Sequence, residues 1–275
     1  MQKQPKLALL TDMDGTLLRA DKTLSPGNAK AIADFRAKGG LVSVATGRGV
    51  EATRPYMQQL QPDFPTVMYN GALVYDWNDQ KKVRAVTLPQ QAKVAIEEIM
   101  GISGEIGVEM LNTEGVFIVQ DSAYEQKHLE IAKVQASYAA LADMDATTCF
   151  KALFAAAPEM IDRLEAFVAQ PRFADFDFTR SHSCFLEMLP KDVSKGAVIP
   201  TLREQLPEGT IIGTSGDFDN DLTMLAAADL CACPADAQPV VKEAVQRLGG
   251  YVSPYGFDED FFADWIAYFV KKYTP

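Results

Sequence analysis

Short apolar runs alternate with amphipathic segments near both ends of the chain. Between the runs, apolar residues recur with a helical period, and the first such segment begins at Ser25 and Pro26, a typical cap and first helical residue. Strand, helix and strand at this spacing predict βαβ units, whose crossovers make the strands parallel. The runs end at a polar, glycine or proline turn, as buried strands do, and they lie at 7–11, 41–45, 66–69, 210–214 and 230–233.

The pattern changes in the middle of the chain. Strands are predicted there in adjacent pairs, and the runs 108–111 and 116–119 flank a glycine turn typical of a hairpin. A long helix is predicted over 124–141. Adjacent strand pairs favour an antiparallel or mixed sheet with helices on one face.

These patterns predict an α/β chain with two parts. We expect a Rossmann-like core with a parallel sheet, built from residues 1–81 and 185–275. An α+β domain, 82–184, is expected to be inserted into this core as a cap. Hinges are expected near 76–84 and 184–190.

Composition narrows the class of protein. The chain has 275 residues, 48% of them hydrophobic, which is enough for real cores, and its net charge of -11 disfavours nucleic acid or an anionic membrane as a partner. No apolar stretch reaches the ~20 residues that span a bilayer, and no signal-peptide core precedes the first strand, so a cytoplasmic location is expected. The four cysteines lie in apolar surroundings and are expected to be buried thiols.

The first strand runs into an acidic turn. Asp12 and Asp14 follow it directly, at the strand end where open α/β sheets bind ligands. One carboxylate could attack a phosphoryl group while the other trades a proton, and Thr16 with the freed amides could hold the oxygens. A calcium loop is excluded because its glycine and glutamate positions hold Leu17 and Thr23. An acidic surface turn remains the alternative.

A second turn follows the strand at 41–45. Thr46 offers a hydroxyl, Gly47 a free amide and Arg48 a permanent cation, all at the start of a helix predicted over 50–60. Such a helix N-terminus is a ready site for a phosphate group. An ordinary threonine cap is the simpler alternative.

A second acidic cluster follows the strand at 210–214. Asp217 and Asp221 should therefore lie at the same sheet edge as the first cluster, where several carboxylates would repel each other unless a cation binds. Hard carboxylate oxygens favour Mg²⁺. Lys195 is the counter-charge that we expect at this site, and we rank Lys191 behind it.

Five motifs occur in order along the chain: D-M-D-G-T at 12–16, A-T-G-R at 45–48, N-G-A at 70–72, V-S-K-G-A at 193–197 and G-D-F-D-N-D-L-T-M-L at 216–225. Taken together, these motifs and their order closely resemble the haloacid dehalogenase-like superfamily. Within it, the chain is similar to the Cof-type phosphatases, which insert a large α/β cap after the third core strand. The one departure is the turn Pro234-Ala235-Asp236-Ala237, where the family usually has asparagine-alanine.

The resemblance implies a role for each matching residue. Asp12 resembles the nucleophile and a metal ligand, and Asp14 the general acid/base, whose main-chain carbonyl also binds the metal. Asp217 resembles the third protein ligand of Mg²⁺, and Asp221 a supporting carboxylate. The residues that are similar to phosphate or substrate contacts are Thr46, Gly47, Arg48, Lys195 and Asn220.

The expected activity is a Mg²⁺-dependent phosphoric monoester hydrolase that acts on small phosphorylated metabolites, such as sugar phosphates, through an aspartyl-phosphate. Two alternatives stay open: a sugar phosphomutase with the same nucleophile, and a non-catalytic metabolite-binding protein. We expect a monomer or small homo-oligomer. His128 and His182 both fall in the insert and are predicted to be surface or packing residues.

Overall fold

The computed structural model describes residues 5–274. Each strand forms where a short apolar or β-branched run is bounded by turn residues. In chain order the strands are β1 (Leu7–Thr11), β2 (Leu41–Val44), β3 (Thr66–Met68), β4 (Leu73–Asp76), β5 (Lys81–Ala85), β6 (Gly107–Asn112), β7 (Gly115–Gln120), β8 (Ala136–Tyr138), β9 (Lys151–Ala155), β10 (Phe176–His182), β11 (Phe185–Pro190), β12 (Ile211–Ser215), β13 (Leu230–Cys233) and β14 (Tyr251–Val252).

The helices follow the amphipathic segments. Ser25 caps the first helix as predicted, because its hydroxyl accepts a hydrogen bond from the Asn28 amide at 2.9 Å. None of the helices formed by residues 5–274 has the length and hydrophobicity needed to cross a lipid bilayer. The helices are α1 (Pro26–Ala37), α2 (Val50–Leu60), α3 (Ala92–Met100), α4 (Ala123–Ala132), α5 (Pro158–Val168), α6 (Ile199–Glu204), α7 (Leu222–Ala227), α8 (Pro239–Arg247) and α9 (Phe261–Tyr273).

The first sheet is parallel and has the order β14-β13-β12-β1-β2. Strand β1 is central, and its last residue, Thr11, lies opposite Ser215 of β12 and Val44 of β2. The carboxyl ends of these three strands therefore meet at one edge, which brings the predicted motifs together. Helices α1 and α9 pack against each other on this sheet, around the buried Trp265.

Strand β3 differs from the prediction. It joins the parallel sheet only through a bridge between Ala45 and Val67, and otherwise pairs antiparallel with β4, which pairs with the unpredicted β5. It ends at Met68 because Tyr69 and Asn70 adopt positive φ angles of 49° and 53°.

The second sheet has six strands in the order β10-β11-β9-β6-β7-β8. Helices α3 and α5 cover one face, as predicted, but α4 packs on the opposite face, against β6 and β9. This sheet extends past residue 184, since β11 pairs with both β9 and β10. The predicted architecture, a parallel α/β core with an additional α+β cap, is confirmed.

The predicted long helix over 124–141 is wrong. Helix α4 ends at Ala132 because Lys133 adopts a left-handed conformation with φ 55°, and its amide bonds the Leu129 carbonyl. The chain then forms β8, which pairs in parallel with β7. The cysteine prediction is confirmed, since all four are buried and free.

Candidate active site

The Asp12 carboxylate lies directly after the central strand β1. Its Oδ1 accepts a hydrogen bond from Lys195 Nζ at 2.6 Å, and the same ammonium donates to Asp221 Oδ1 at 2.7 Å. Asp12, Asp217 and Asp221 each offer an oxygen, and these oxygens lie within 4.8 Å of one another. The structure thus brings together four of the predicted site residues.

The carboxylates of Asp12, Asp217 and Asp221 carry more negative charge than the Lys195 ammonium can neutralise. Burial raises the pKa of Asp12 to about 7, although Lys195 opposes the shift. Burial also raises the pKa of Asp217 well above its usual value, and Asp12 and Asp221 add to the shift by repulsion. Burial alone would lower the pKa of Lys195, but the two carboxylates that it contacts reverse the effect and raise it. The site is therefore suited to bind an additional cation.

The donor set fits Mg²⁺ in particular. Asp12, Asp217 and Asp221 offer only hard carboxylate oxygens, which are the ligands that Mg²⁺ prefers. Both oxygens of Asp221 already accept hydrogen bonds. Oδ1 accepts one from Lys195 Nζ, and Oδ2 accepts hydrogen bonds from the backbone amides of Asp217 and Phe218. Asp12 and Asp217 are consequently the better candidates for direct contact, with Asp221 in support.

Asp217 is held in place by the first turn. Thr16 donates its hydroxyl hydrogen to Asp217 Oδ1 at 2.8 Å. Gly15 has φ +77°, and a Cβ at this position would lie 2.5 Å from Asp217 Oδ2. Only glycine therefore accommodates both the backbone conformation and the approach of the carboxylate.

Asp14 points into a different environment from Asp12. Arg48 donates to both of its oxygens, at 2.6 and 2.7 Å, and Lys22 Nζ donates to Oδ1 at 2.7 Å. Burial alone would raise the pKa of Asp14, but these two cations lower it to about 2. The side chain of Asp14 is absent from the Asp12 cluster, so the two aspartates are chemically distinct.

Thr46 and Gly47 lie at the end of β2, beside the same edge. The Thr46 hydroxyl accepts a hydrogen bond from the Arg48 amide at 3.1 Å, and Thr46 is buried. The Gly47 carbonyl accepts a hydrogen bond from Lys151 Nζ of the second sheet at 2.8 Å. This bond connects the turn after β2 directly to the cap.

A second connection to the cap runs through two amide side chains. Asn220 donates to Asn70 Oδ1 at 3.1 Å, and Asn70 donates to Glu187 Oε2 at 2.8 Å. Glu187 also accepts a hydrogen bond from Lys151, and both of these charged residues are buried. The predicted phosphate contact Asn220 is thereby linked to two charged residues of the cap.

A cavity of about 430 Å³ lies between the core and the cap. Lys195 and Asp221 lie behind Asp12, outside the cavity wall. On the cap side, the ring of Phe185 lies 4.8 Å from both His128 and His182, centroid to centroid, so the two histidines pack as predicted but do so in the cavity wall. The core side is lined by predicted residues: Asp12, Asp14, Thr46, Gly47, Arg48, Asp217 and Asn220.

Sequence reasoning assigned no role to several residues that line this cavity or bond to its lining residues. Lys151 and Glu187 each interrupt an otherwise apolar strand of the cap, and a charge at a buried strand position was the available signal. Asn70 was part of a recognised motif but had no assigned role. Lys22 lies in a polar loop, where its sequence context carries no signal.

Comparison with known proteins identifies the family. The model of the haloacid dehalogenase-like hydrolases matches residues 9–253. The chain is 25% identical to the 5-amino-6-(5-phospho-D-ribitylamino)uracil phosphatase of Bacillus subtilis, covering 99% of both chains. It is 37% identical to the pyridoxal phosphate phosphatase of Escherichia coli over a shorter match, 28% of this chain and 29% of that one.

The fold comparison agrees. A haloacid dehalogenase-like hydrolase from Bacteroides thetaiotaomicron superposes with a TM-score of 0.80 at 21% identity, over 96% of this chain and 99% of that one. The chain therefore belongs to the haloacid dehalogenase-like hydrolase family.

Proposed function

We propose that the chain is a Mg²⁺-dependent phosphatase that hydrolyses phosphate esters of small metabolites through an aspartyl-phosphate on Asp12. One observation carries the proposal. Asp12 borders the cavity with Oδ1 tied to Lys195, while Oδ2 makes no hydrogen bond within residues 5–274. This free oxygen is the candidate nucleophile, and the Lys195 ammonium favours the ionised carboxylate because it opposes the rise in the pKa of Asp12 that burial causes.

The chemistry divides between the two aspartates. Asp12 Oδ2 forms a bond to phosphorus as the bond to the leaving oxygen breaks, and Asp14 supplies the proton that this oxygen needs. Water then attacks the phosphorus of the aspartyl-phosphate, Asp14 takes up a proton from it, and inorganic phosphate and free Asp12 result. Thr46, Gly47 and Arg48 line the same cavity as Asp12, and we assign them to the phosphate oxygens.

Asp14 must be freed from part of its present contacts to act in this way. Arg48 and Asp14 both lie in the cavity wall. Arg48 can therefore release the Asp14 carboxylate and bind a substrate phosphate in its place. We assign Asp12 and Asp217 to the metal, with Asp221 in support and the Asp14 carbonyl as a further ligand. When bound, Mg²⁺ supplies charge stabilisation for the phosphoryl oxygens.

The cap wall supports a more specific class of substrate. Phe185, His128 and His182 present flat rings to the cavity, and a planar ring in the leaving group would stack against them. The names of two relatives carry such rings, a uracil and a pyridoxal. We therefore place phosphate esters of heterocyclic metabolites ahead of simple sugar phosphates.

The cap is proposed to determine substrate choice and to exclude water. We divide the chain as predicted, with core segments 1–81 and 185–275 and a cap at 82–184, except that β11 belongs to the cap sheet. Lys151 and Glu187 bond the core through Gly47 and Asn70, so these contacts hold the cap against the site. Their breakage would open it for substrate entry.

The test is phosphate release from p-nitrophenyl phosphate, pyridoxal phosphate and glucose 6-phosphate. Asp12→Asn should lower turnover of the aryl phosphate by about 10³-fold or more, as removal of a nucleophile does. Asp34→Asn, a change of an exposed aspartate on α1, is the matched control and should leave turnover unchanged. Full turnover in the Asp12→Asn protein would disprove the nucleophile assignment.

Two further measurements test the rest of the proposal. Chelation should abolish activity and added Mg²⁺ should restore it, whereas full activity in demetallated protein would refute the metal requirement. A higher kcat/KM for pyridoxal phosphate than for glucose 6-phosphate is expected, and the reverse order would refute the ring preference. Conversion of a hexose 1-phosphate into its 6-phosphate would identify a phosphomutase, and binding without turnover a non-catalytic protein.

A further inference from the structure

A second group of metal-ligand side chains lies in the cap, away from the Asp12 cluster. Glu109 projects from β6, and Glu125 and His128 project from α4. His128 Nδ1 lies 3.2 Å from Glu109 Oε2 and 3.9 Å from Glu125 Oε1. Each of the three residues offers one ligand atom, and these atoms lie within 4.8 Å of one another.

Three of the four carboxylate oxygens of Glu109 and Glu125 lack a hydrogen-bond partner within residues 5–274. Glu109 and Glu125 are fully buried, at 0% exposure, yet Glu109 Oε1 and both oxygens of Glu125 accept no hydrogen bond within residues 5–274. A buried charged group without a partner strongly destabilises the folded protein, so carboxylates in this state need a compensating proton or cation. One imidazolium cannot neutralise two carboxylates.

The geometry points to a metal ion as this missing charge. We propose that Glu109, Glu125 and His128 bind a divalent first-row transition metal, such as Zn²⁺, through one oxygen each and the imidazole Nδ1. Metal-to-ligand distances are about 2 Å, which places neighbouring ligand atoms about 3 to 4 Å apart. The separations of 3.2 and 3.9 Å are in that range.

The donor set also distinguishes this site from the catalytic cluster. Glu125 and His128 form a Glu-x-x-His pair on one face of a helix, the spacing with which helices present a carboxylate and an imidazole to one metal ion. An imidazole ligand favours Zn²⁺ and its neighbours over Mg²⁺. The catalytic cluster, in contrast, offers oxygens alone.

The proposed ion would stabilise the cap next to the substrate cavity. It would tie α4 to β6 directly behind His128, whose ring borders the substrate cavity and packs on Phe185. The fourth coordination position would be left to water. Metal binding at this cap site is thus expected to fix the ring that the substrate meets, without taking part in the chemistry at Asp12.

Equilibrium dialysis of the full chain against Zn²⁺, with metal analysis, tests the proposal. Wild type should bind two ions per chain, and the double variant Asp12→Asn/Asp217→Asn should keep the cap ion. Glu125→Gln should lose one ion. Glu130→Gln, a change of an exposed glutamate on the same helix, is the matched control and should bind as wild type does.

Nitrogen NMR locates the ion even if Glu125→Gln fails to fold. The chain has only two histidines, so His182 serves as an internal reference for His128. Zn²⁺ added to the double variant should shift the Nδ1 resonance of His128 with one-to-one stoichiometry and leave that of His182 nearly unchanged. No ion in the double variant, or an ion that leaves the His128 resonance in place, would overturn the proposal and show that protons alone neutralise the cluster.

Discussion

The Arg48 guanidinium holds the Asp14 carboxylate through two hydrogen bonds, Nε to Oδ2 at 2.6 Å and Nη2 to Oδ1 at 2.7 Å. Arg48 is largely buried, and its planar fork matches the two oxygens of a carboxylate or of a phosphate. The same residue can therefore bind Asp14 in the free enzyme and the substrate phosphate in the complex. This exchange connects substrate binding to the release of the proposed general acid.

Arg48→Ala should weaken substrate binding more than it slows chemistry. Hydrogen bonds to charged groups contribute about 1.5–3 kcal/mol, so KM should rise by about 10- to 100-fold. Arg48→Lys should recover part of the loss because it keeps the charge but not the fork. Steady-state kinetics with p-nitrophenyl phosphate measure KM and kcat separately. An unchanged KM in Arg48→Ala would show that Arg48 does not contact the phosphate.

Lys195 should contribute strongly to the stability of the protein. It is fully buried between Asp12 and Asp221, and breaking a buried ion pair costs about 3–5 kcal/mol. Lys195→Met should therefore lower the free energy of unfolding by that order at pH 7 in the presence of chelator. The loss should be smaller at pH 5, because Asp12, whose pKa burial raises to about 7, is then protonated.

The control for this prediction is Lys191→Met. Lys191 forms an exposed pair with Asp177, and such pairs contribute about 0–1 kcal/mol. Urea denaturation of both variants measures the difference. Equal losses in the two variants would show that the buried ammonium is not a special source of stability.

Much of the core could be predicted from sequence because its signals are local. The helix Val50–Leu60 and the strand Leu230–Cys233 have the predicted bounds. A buried parallel strand is a run of apolar residues, and its ligand-binding end is the turn that follows it. The amino-acid pattern alone therefore suffices to predict that Asp12 and Asp217 lie at one edge of the sheet.

The cap was less predictable because its features depend on distant partners. The cap edge strand Ala136–Tyr138 is short and polar, as is Lys81–Ala85, which pairs with β4 outside the cap sheet, and both form only because a neighbouring strand offers hydrogen bonds. The turn at Lys133 has no glycine to announce it. The pairing of Lys151 with Glu187 exists only once the sheet has formed.

The two histidines should titrate far apart in metal-free protein. Burial alone would lower the pKa of His128, but Glu109 and Glu125 outweigh it and raise the pKa to about 10, and Lys151 faces Glu109 from β9. Burial lowers the pKa of His182 below its usual value. Proton NMR of the ring resonances in chelator measures both values, and a His128 pKa near that of His182 would contradict the prediction.

The raised pKa of His128 has a defined effect on stability. A histidine whose pKa is higher in the folded than in the unfolded protein contributes stability that is fully present below the unfolded value of 6.5. That contribution should be lost as the pH rises from 6.5 through about 10. Denaturation of wild type and His128→Gln between pH 6 and pH 10 should therefore show a difference that shrinks with rising pH.

Gly15 and Gly209 form a natural pair for testing how closely the catalytic turn is packed. Their φ angles are +77° and +76°, but a Cβ at Gly15 would lie 2.5 Å from Asp217 Oδ2, whereas a Cβ at Gly209 meets no atom within 4 Å. Alanine at either position costs about 1–2 kcal/mol for the left-handed backbone. Gly15→Ala must in addition displace Asp217. Because a shift of about 1 Å in a catalytic group can cost 10²-fold in rate, it should lower kcat/KM by about that factor. Gly209→Ala should lose stability alone, and equal activity in the two variants would show that the position of Asp217 is not critical.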